Sequence, residues 1–264
     1  MSDSIEQNPW QALRAFTNAR IALGRAGHSL PTAPLLAFNL AHAQARDAVH
    51  HPLDADTLHR QLRALGFSSL DVHSAAPDRT HYLRRPDLGR RLSDESREAL
   101  RGFVSDEAPN VVFVIADGLS AFAASKQSIP FLQAIAKRLS GWTIGPVVVA
   151  RQSRVALGDE IGESLKANLV VMLIGERPGL SSPDSLGVYL TYAPKVGCTD
   201  AQRNCISNVR PEGLDYEAAA RKLHYLLTQA RSLRLTGVGL KDDSDALLQA
   251  PAAETVITGA SKPA

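Results

Sequence analysis

The sequence predicts an α/β protein in which an N-terminal, mainly helical region (1–105) precedes a mostly parallel sheet flanked by helices (106–245), with a tail at 246–264. Three observations predict it. Short apolar, β-branched runs recur at Val111–Ala116, Thr143–Ala150 and Leu169–Ile174, as strands covered on both faces require. Helix-length segments, Ile129–Leu139 and Gly158–Lys166, separate them, and the order β-α-β-α-β assembles naturally as a right-handed parallel sheet. Before Asn110, apolar residues recur instead at helical spacing.

The elements follow in order. Asn8-Pro9 sets an amide cap before a proline at the first helical position, and Trp10, Leu13, Phe16 and Leu23 continue a helix that Gly24 and Gly27 end. A second, alanine-rich helix runs from about Pro34 to His50, and a third from Asp54 to before Gly66, burying Leu58, Leu62 and Leu65. Arg79–Arg91 reads as a charged surface loop, and Ser93-Asp94-Glu95 caps a short helix. Beyond the three central strands, Gly187–Tyr192 offers a fourth, and Asp215–Leu233 is an amphipathic helix with Ala219, Leu223, Leu226, Leu227 and Ala230 on its apolar side. The small, polar residues after Asp245 read as a frayed tail.

Composition narrows the function. Of 264 residues, 44% are hydrophobic and 21% charged, and the net charge of +2 gives no general pull toward nucleic acid or anionic membranes. No apolar run reaches the ~20 residues that cross a bilayer, and no secretory leader is recognisable. Two cysteines cannot build a disulfide framework and suit a reducing compartment.

In open parallel sheets, ligands bind beyond the carboxyl ends of the strands. Three loops leave that edge: Asp117–Ser120, Arg151–Leu157 and Gly175–Ser182. Taken alone, Gly175-Glu176-Arg177-Pro178-Gly179 is a strand-ending turn with a solvated ion pair. Set beside two other loops it reads as part of a crevice, with Glu176 as hydrogen-bond acceptor and Val155 opposite. Asp117-Gly118-Leu119-Ser120 lacks the glycine spacing of a phosphate loop and equally reads as a strand-to-helix turn. Cys198 and Cys205 have no histidine nearby and no second cysteine pair, which argues against zinc; Cys205 reads as a small buried thiol or a soft contact. No nucleophile motif is present, so no catalytic residue and no metal ligand is assigned.

Several segments carry a family resemblance: Ala19–Thr32 (ARIALGRAGHSLPT), His42–His50 (HAQARDAVH), Asp117–Ala121 (DGLSA), Gly175–Tyr192 (GERPGLSSPDSLGVYLTY), Thr199–Pro211 (TDAQRNCISNVRP) and Leu235–Asp242 (LTGVGLKD). In this order, spanning nearly the whole chain, they resemble the small (light) subunit of ethanolamine ammonia-lyase. The resemblance implies a Rossmann-like domain that completes an adenosylcobalamin site against a large subunit, a TIM barrel carrying the substrate and the catalytic side chains. The implied reaction turns ethanolamine into acetaldehyde and ammonia. The family's cobalamin contacts correspond to Val155 in RQSRVALG, Glu176 in GERPG and Cys205 in RNCISN, with Arg154, Arg177, Asp117 and Asn204 as neighbours.

Asp71–Ala76 (DVHSAA) approaches the Asp-x-His-x-x-Gly motif of cobalamin proteins that place a histidine on cobalt, but ends in alanine. His73 is therefore read as a loop histidine. The resemblance implies a cytoplasmic protein; longer members carry an N-terminal segment associated with ethanolamine microcompartments, and here it is short. Two other readings stand beside this one. A stand-alone Rossmann-like nucleotide-binding enzyme would need a glycine-rich loop after Ala116. A scaffold subunit would be indifferent to the loss of Glu176.

Overall fold

The computed structural model describes residues 5–103 and 107–245; the boundary expected between 105 and 106 and the tail at 246–264 lie outside the described residues. Six strands, β1 (Ser69–His73), β2 (Val111–Ala116), β3 (Val147–Arg151), β4 (Leu169–Gly175), β5 (Leu186–Tyr192) and β6 (Arg203–Val209), form one sheet in the order β1-β3-β2-β4-β5-β6. Around them lie α1 (Thr32–His50), α2 (Ala55–Ala64), α3 (Arg79–Arg84), α4 (Asp94–Gly102), α5 (Ala121–Ala136), α6 (Leu157–Ser164) and α7 (Tyr216–Leu233).

The expected α/β class and the helix-flanked sheet are present, but the sheet is mixed. β1, β3, β2 and β4 are parallel, whereas β5 pairs antiparallel with β4, and β6 antiparallel with β5. Chain length decides this. A parallel return needs a crossover of about a dozen residues or more, usually through a helix. The connection from β4 to β5, residues 176–185, contains none.

Two apolar layers sandwich the sheet. On one face Phe113, Ile115, Val149, Val171, Leu173 and Val188 pack under α2, α5 and α7. On the other, Val114, Val148, Val170 and Met172 meet Leu100 of α4 and Leu157 and Ile161 of α6. Period-2 alternation divides β5 likewise: Leu186, Val188 and Leu190 belong to the first core, and Tyr189 points to the face of α6. Out at β5 and β6 that second face is open. Tyr189 is half-buried there and Cys205 is exposed.

Side-chain caps start the helices as their sequences demand. Asp54, Ser93, Ser120 and Asp215 accept hydrogen bonds from the amides of Thr57, Ser96, Ala123 and Ala218 at 2.9–3.2 Å. Several expectations are corrected. α5 begins well before Ile129, because Ser120 caps it and Pro130 sits inside it. β3 begins at Val147, directly after Pro146, which has no N–H for the ladder. The stretch read as a loop at Arg79–Arg91 contains α3, capped by Asp78, and buries Tyr82. His73 is no loop residue but ends β1, with Nδ1 2.6 Å from the Ser74 carbonyl oxygen. The segment Pro9–Phe16 is a 3₁₀ helix with no buried residue. Among the described residues no helix is long and apolar enough to cross a membrane.

Candidate functional site

The three loops at the carboxyl ends of β2, β3 and β4 are bound to one another. Asp117, just after β2, accepts the amides of Gln152 and Ser153 at 2.8 and 2.9 Å and lies 3.4 Å from Arg79 Nη1. Its carboxyl is pushed up by burial, against the pull of Arg79 and the two amides. Gly118 follows at φ +54°, where a Cβ would stand 2.3 Å from the Gly175 carbonyl oxygen. Only glycine allows that approach. Leu119 donates its N–H to the same carbonyl at 2.9 Å, and the Ser120 hydroxyl donates to the Pro183 carbonyl at 2.9 Å. Asp117 and Gly118 are thus structural, as the turn reading of this segment expects.

A hollow of about 410 Å³ opens at this edge, lined by Tyr82, Arg154, Val155, Glu176, Arg177 and Tyr189 among others. Tyr82 forms its anchor: the hydroxyl donates to the Ser153 carbonyl at 3.0 Å, and the guanidinium groups of Arg79 and Arg154 lie 4.8 and 4.4 Å from the ring centre. Burial raises the Tyr82 pKa, so it stays a neutral phenol. Glu176 Oε2 accepts the Ser185 hydroxyl at 2.5 Å and lies 3.3 Å from the Asn208 N–H. Oε1 has no hydrogen-bond partner among the described residues, and neither oxygen is in an ion pair, which corrects the reading of GERPG as a solvated Glu–Arg pair. Beneath it a Cβ on Gly187 would come within 3.1 Å of both Glu176 Oε1 and the Tyr189 ring, so the bare glycine keeps this floor open.

Of the three expected contact residues, Val155 and Glu176 line this hollow together. Cys205 does not line it. It stands one strand further out, on β6, paired in register with Tyr189 of β5. Cys205 is exposed, with Sγ 3.4 Å from the Ser207 hydroxyl, which corrects its reading as a buried thiol. Tyr189 links the two parts. Burial first, and then Cys205 and Glu176, raise its pKa. Tyr189 is not among the residues expected from sequence, although the alternation in Leu186–Tyr192 sets it opposite the core-facing leucines and valine.

A second hollow, about 620 Å³, adjoins the first and shares Arg154 and Val155 with it. One wall carries Arg90 and Arg91, and another the buried pair of Asp159 on α6 and Arg203 on β6. That pair is bidentate, at 2.5 and 2.7 Å, and Arg203 also donates to Thr191 Oγ1 at 3.0 Å and the Cys198 carbonyl at 2.9 Å. It fastens β6 to α6 and gives the open face a rigid border.

A family model described as ethanolamine ammonia-lyase light chain (EutC) matches residues 7–241. The chain belongs to the ethanolamine ammonia-lyase light-chain family. Relatives carry the name ethanolamine ammonia-lyase small subunit. The one from Ralstonia nicotianae is 56% identical over 246 residues, 92% of this chain and 91% of the relative. That from Azotobacter vinelandii is 56% identical over 243 residues, 90% of each chain. That from Pseudomonas aeruginosa strain UCBPP-PA14 is 53% identical over 263 residues, 98% of this chain and 96% of the relative. As a light chain it also exposes large apolar side chains near its N-terminus: Trp10 is 66% accessible, Phe16 85%, Leu36 61% and Leu40 61%.

Proposed function

We propose that this chain is the cofactor-facing small subunit of adenosylcobalamin-dependent ethanolamine ammonia-lyase, which converts ethanolamine into acetaldehyde and ammonia. The observation that carries the reading is the open sheet face at the carboxyl edge, with Glu176 lining the hollow there and its Oε1 left without a hydrogen-bond partner among the described residues. A hollow of about 410 Å³ suits a drug-sized ligand. A corrinoid is far larger, so one chain offers only one side of its seat. The residues fit that ligand: the corrin rim carries amide N–H donors, for which the fixed carboxylate is a matched acceptor. Val155 supplies apolar contact, Tyr189 a broad flat surface, and Cys205 a soft one at the margin.

The other side of the seat belongs, in this reading, to a large subunit with a TIM barrel that holds substrate and catalytic groups. Bound cofactor supplies the radical chemistry, and this chain supplies binding and orientation. Residues 106–245, joined by β1 in a Rossmann-like parallel half, form the cobalamin-facing domain; residues 1–105 are the mainly helical region, which adds Tyr82, Arg90 and Arg91 to that side, and 246–264 a tail. The setting is cytoplasmic, with a microcompartment as a further destination.

A stand-alone nucleotide-binding enzyme is less well supported. The amides of Leu119 and Ser120, where a phosphate loop would point its donors, are taken by the Gly175 and Asp117 carbonyls. Reconstitution tests the proposal. The light chain mixed with its large subunit, adenosylcobalamin and ethanolamine should release acetaldehyde, and the light chain without its partner should release none. An assembled pair that stays inactive, or a lone chain stabilised by nucleotide, would count against it.

A further inference from the structure

The second hollow carries positive charge that the described residues do not neutralise. Its three acids are already engaged: Asp87 lies 2.7 Å from Arg85, and Asp159 and Asp200 both face Arg203. Arg90, Arg91 and Arg154 have no carboxylate partner among the described residues. Arg154 is nonetheless fixed in place. Its N–H donates to the Gly89 carbonyl at 2.8 Å, its guanidinium stacks on Tyr82, and its buried Nε has no hydrogen-bond partner among the described residues. Gly89 makes this possible, since a Cβ there would come within 2.9 Å of Arg154 Cγ and the Tyr82 ring. The turn bearing Arg90 and Arg91 is therefore locked against Arg154. The α6 amides of Leu157 and Gly158 are spent on the Arg154 and Val155 carbonyls, so anion recognition here falls to guanidinium groups.

We infer that this arginine-lined hollow receives the phosphodiester of the nucleotide tail of the same corrinoid whose amide-bearing rim meets Glu176. The inference rests on the proposed function and adds which end of the ligand lies where. The two hollows adjoin and share Arg154 and Val155 as lining residues. Guanidinium groups match a phosphate in charge and in forked donor geometry. The reverse placement would set the phosphate against the Glu176 carboxylate and leave three cations unanswered.

The test uses the assembled large and small subunits and two corrinoids, adenosylcobalamin and adenosylcobinamide, which lacks the nucleotide tail. Arg90→Ala with Arg91→Ala should weaken adenosylcobalamin binding by about 10- to 100-fold in equilibrium titration, and adenosylcobinamide binding by roughly twofold or less. Both side chains are exposed, so the melting temperature of the variant should match the parent, and Arg90→Lys with Arg91→Lys should recover part of the affinity. An equal loss for both corrinoids, no loss for either, or a defect confined to subunit assembly overturns the inference and leaves the proposed function standing. If neither corrinoid binds the parent complex, the proposed function fails and takes the inference with it.

Discussion

Glu176 concentrates the chemistry of the site in one side chain. Its two oxygens differ: Oε2 is tied down by Ser185 and Asn208, while Oε1 has no hydrogen-bond partner among the described residues. On the proposed reading, replacing Glu176 by Ala in the assembled enzyme should cost about 1–3 kcal/mol of adenosylcobalamin affinity, because amide donors on the ligand would lose a charged acceptor. Spectroscopic titration reads this directly, and an unchanged dissociation constant would favour a scaffold role. Glu176 and Val155 were legible in sequence because loops that leave the same rim of a parallel sheet must be neighbours. Cys205 was harder. In Arg203–Val209 only Ile206 and Val209 are core-facing apolar residues, so the segment did not look like a strand, and the outward alternation that exposes Cys205 could not be applied.

At the scale of elements, the central strands were readable because each is apolar on both faces. β2 has all six residues buried and lies where its sequence put it. The edge strands were not. β1 is Ser-Leu-Asp-Val-His with only Val72 buried, and β6 is just as polar, because an edge strand with one open face has no need of continuous apolar sequence. Such an edge needs another fastening, and for β6 it is the Asp159–Arg203 pair. Asp159→Ala should therefore destabilise the fold by about 3–5 kcal/mol, since it strands a buried guanidinium. Thermal or denaturant unfolding checks this. The double replacement Asp159→Leu with Arg203→Met should recover much of the loss, because no buried charge is then left uncompensated.

For the molecule as a whole, the balance of covered and uncovered surface is uneven. The sheet core is closed by α2, α4, α5, α6 and α7, while the N-terminal segment displays Trp10, Leu13 and Phe16 on a 3₁₀ helix that buries nothing. Apolar surface of that kind in a lone chain favours association. Trp10→Ser with Phe16→Ser should leave the melting temperature of the light chain unchanged and raise its solubility, measured by unfolding and by light scattering. A large fall in melting temperature would show that these side chains stabilise the domain.

The short return from β4 to β5 has a consequence for design. Residues 176–185 have too little length to form a crossover helix, so no helix of this connection covers the hollow beside Glu176. An insertion of about a dozen helix-forming residues there would supply a roof of the chain's own making. In the proposed assembly such a roof would stand where the second polypeptide docks, so on that reading the freedom of this connection is bounded by the partner as well as by the sheet.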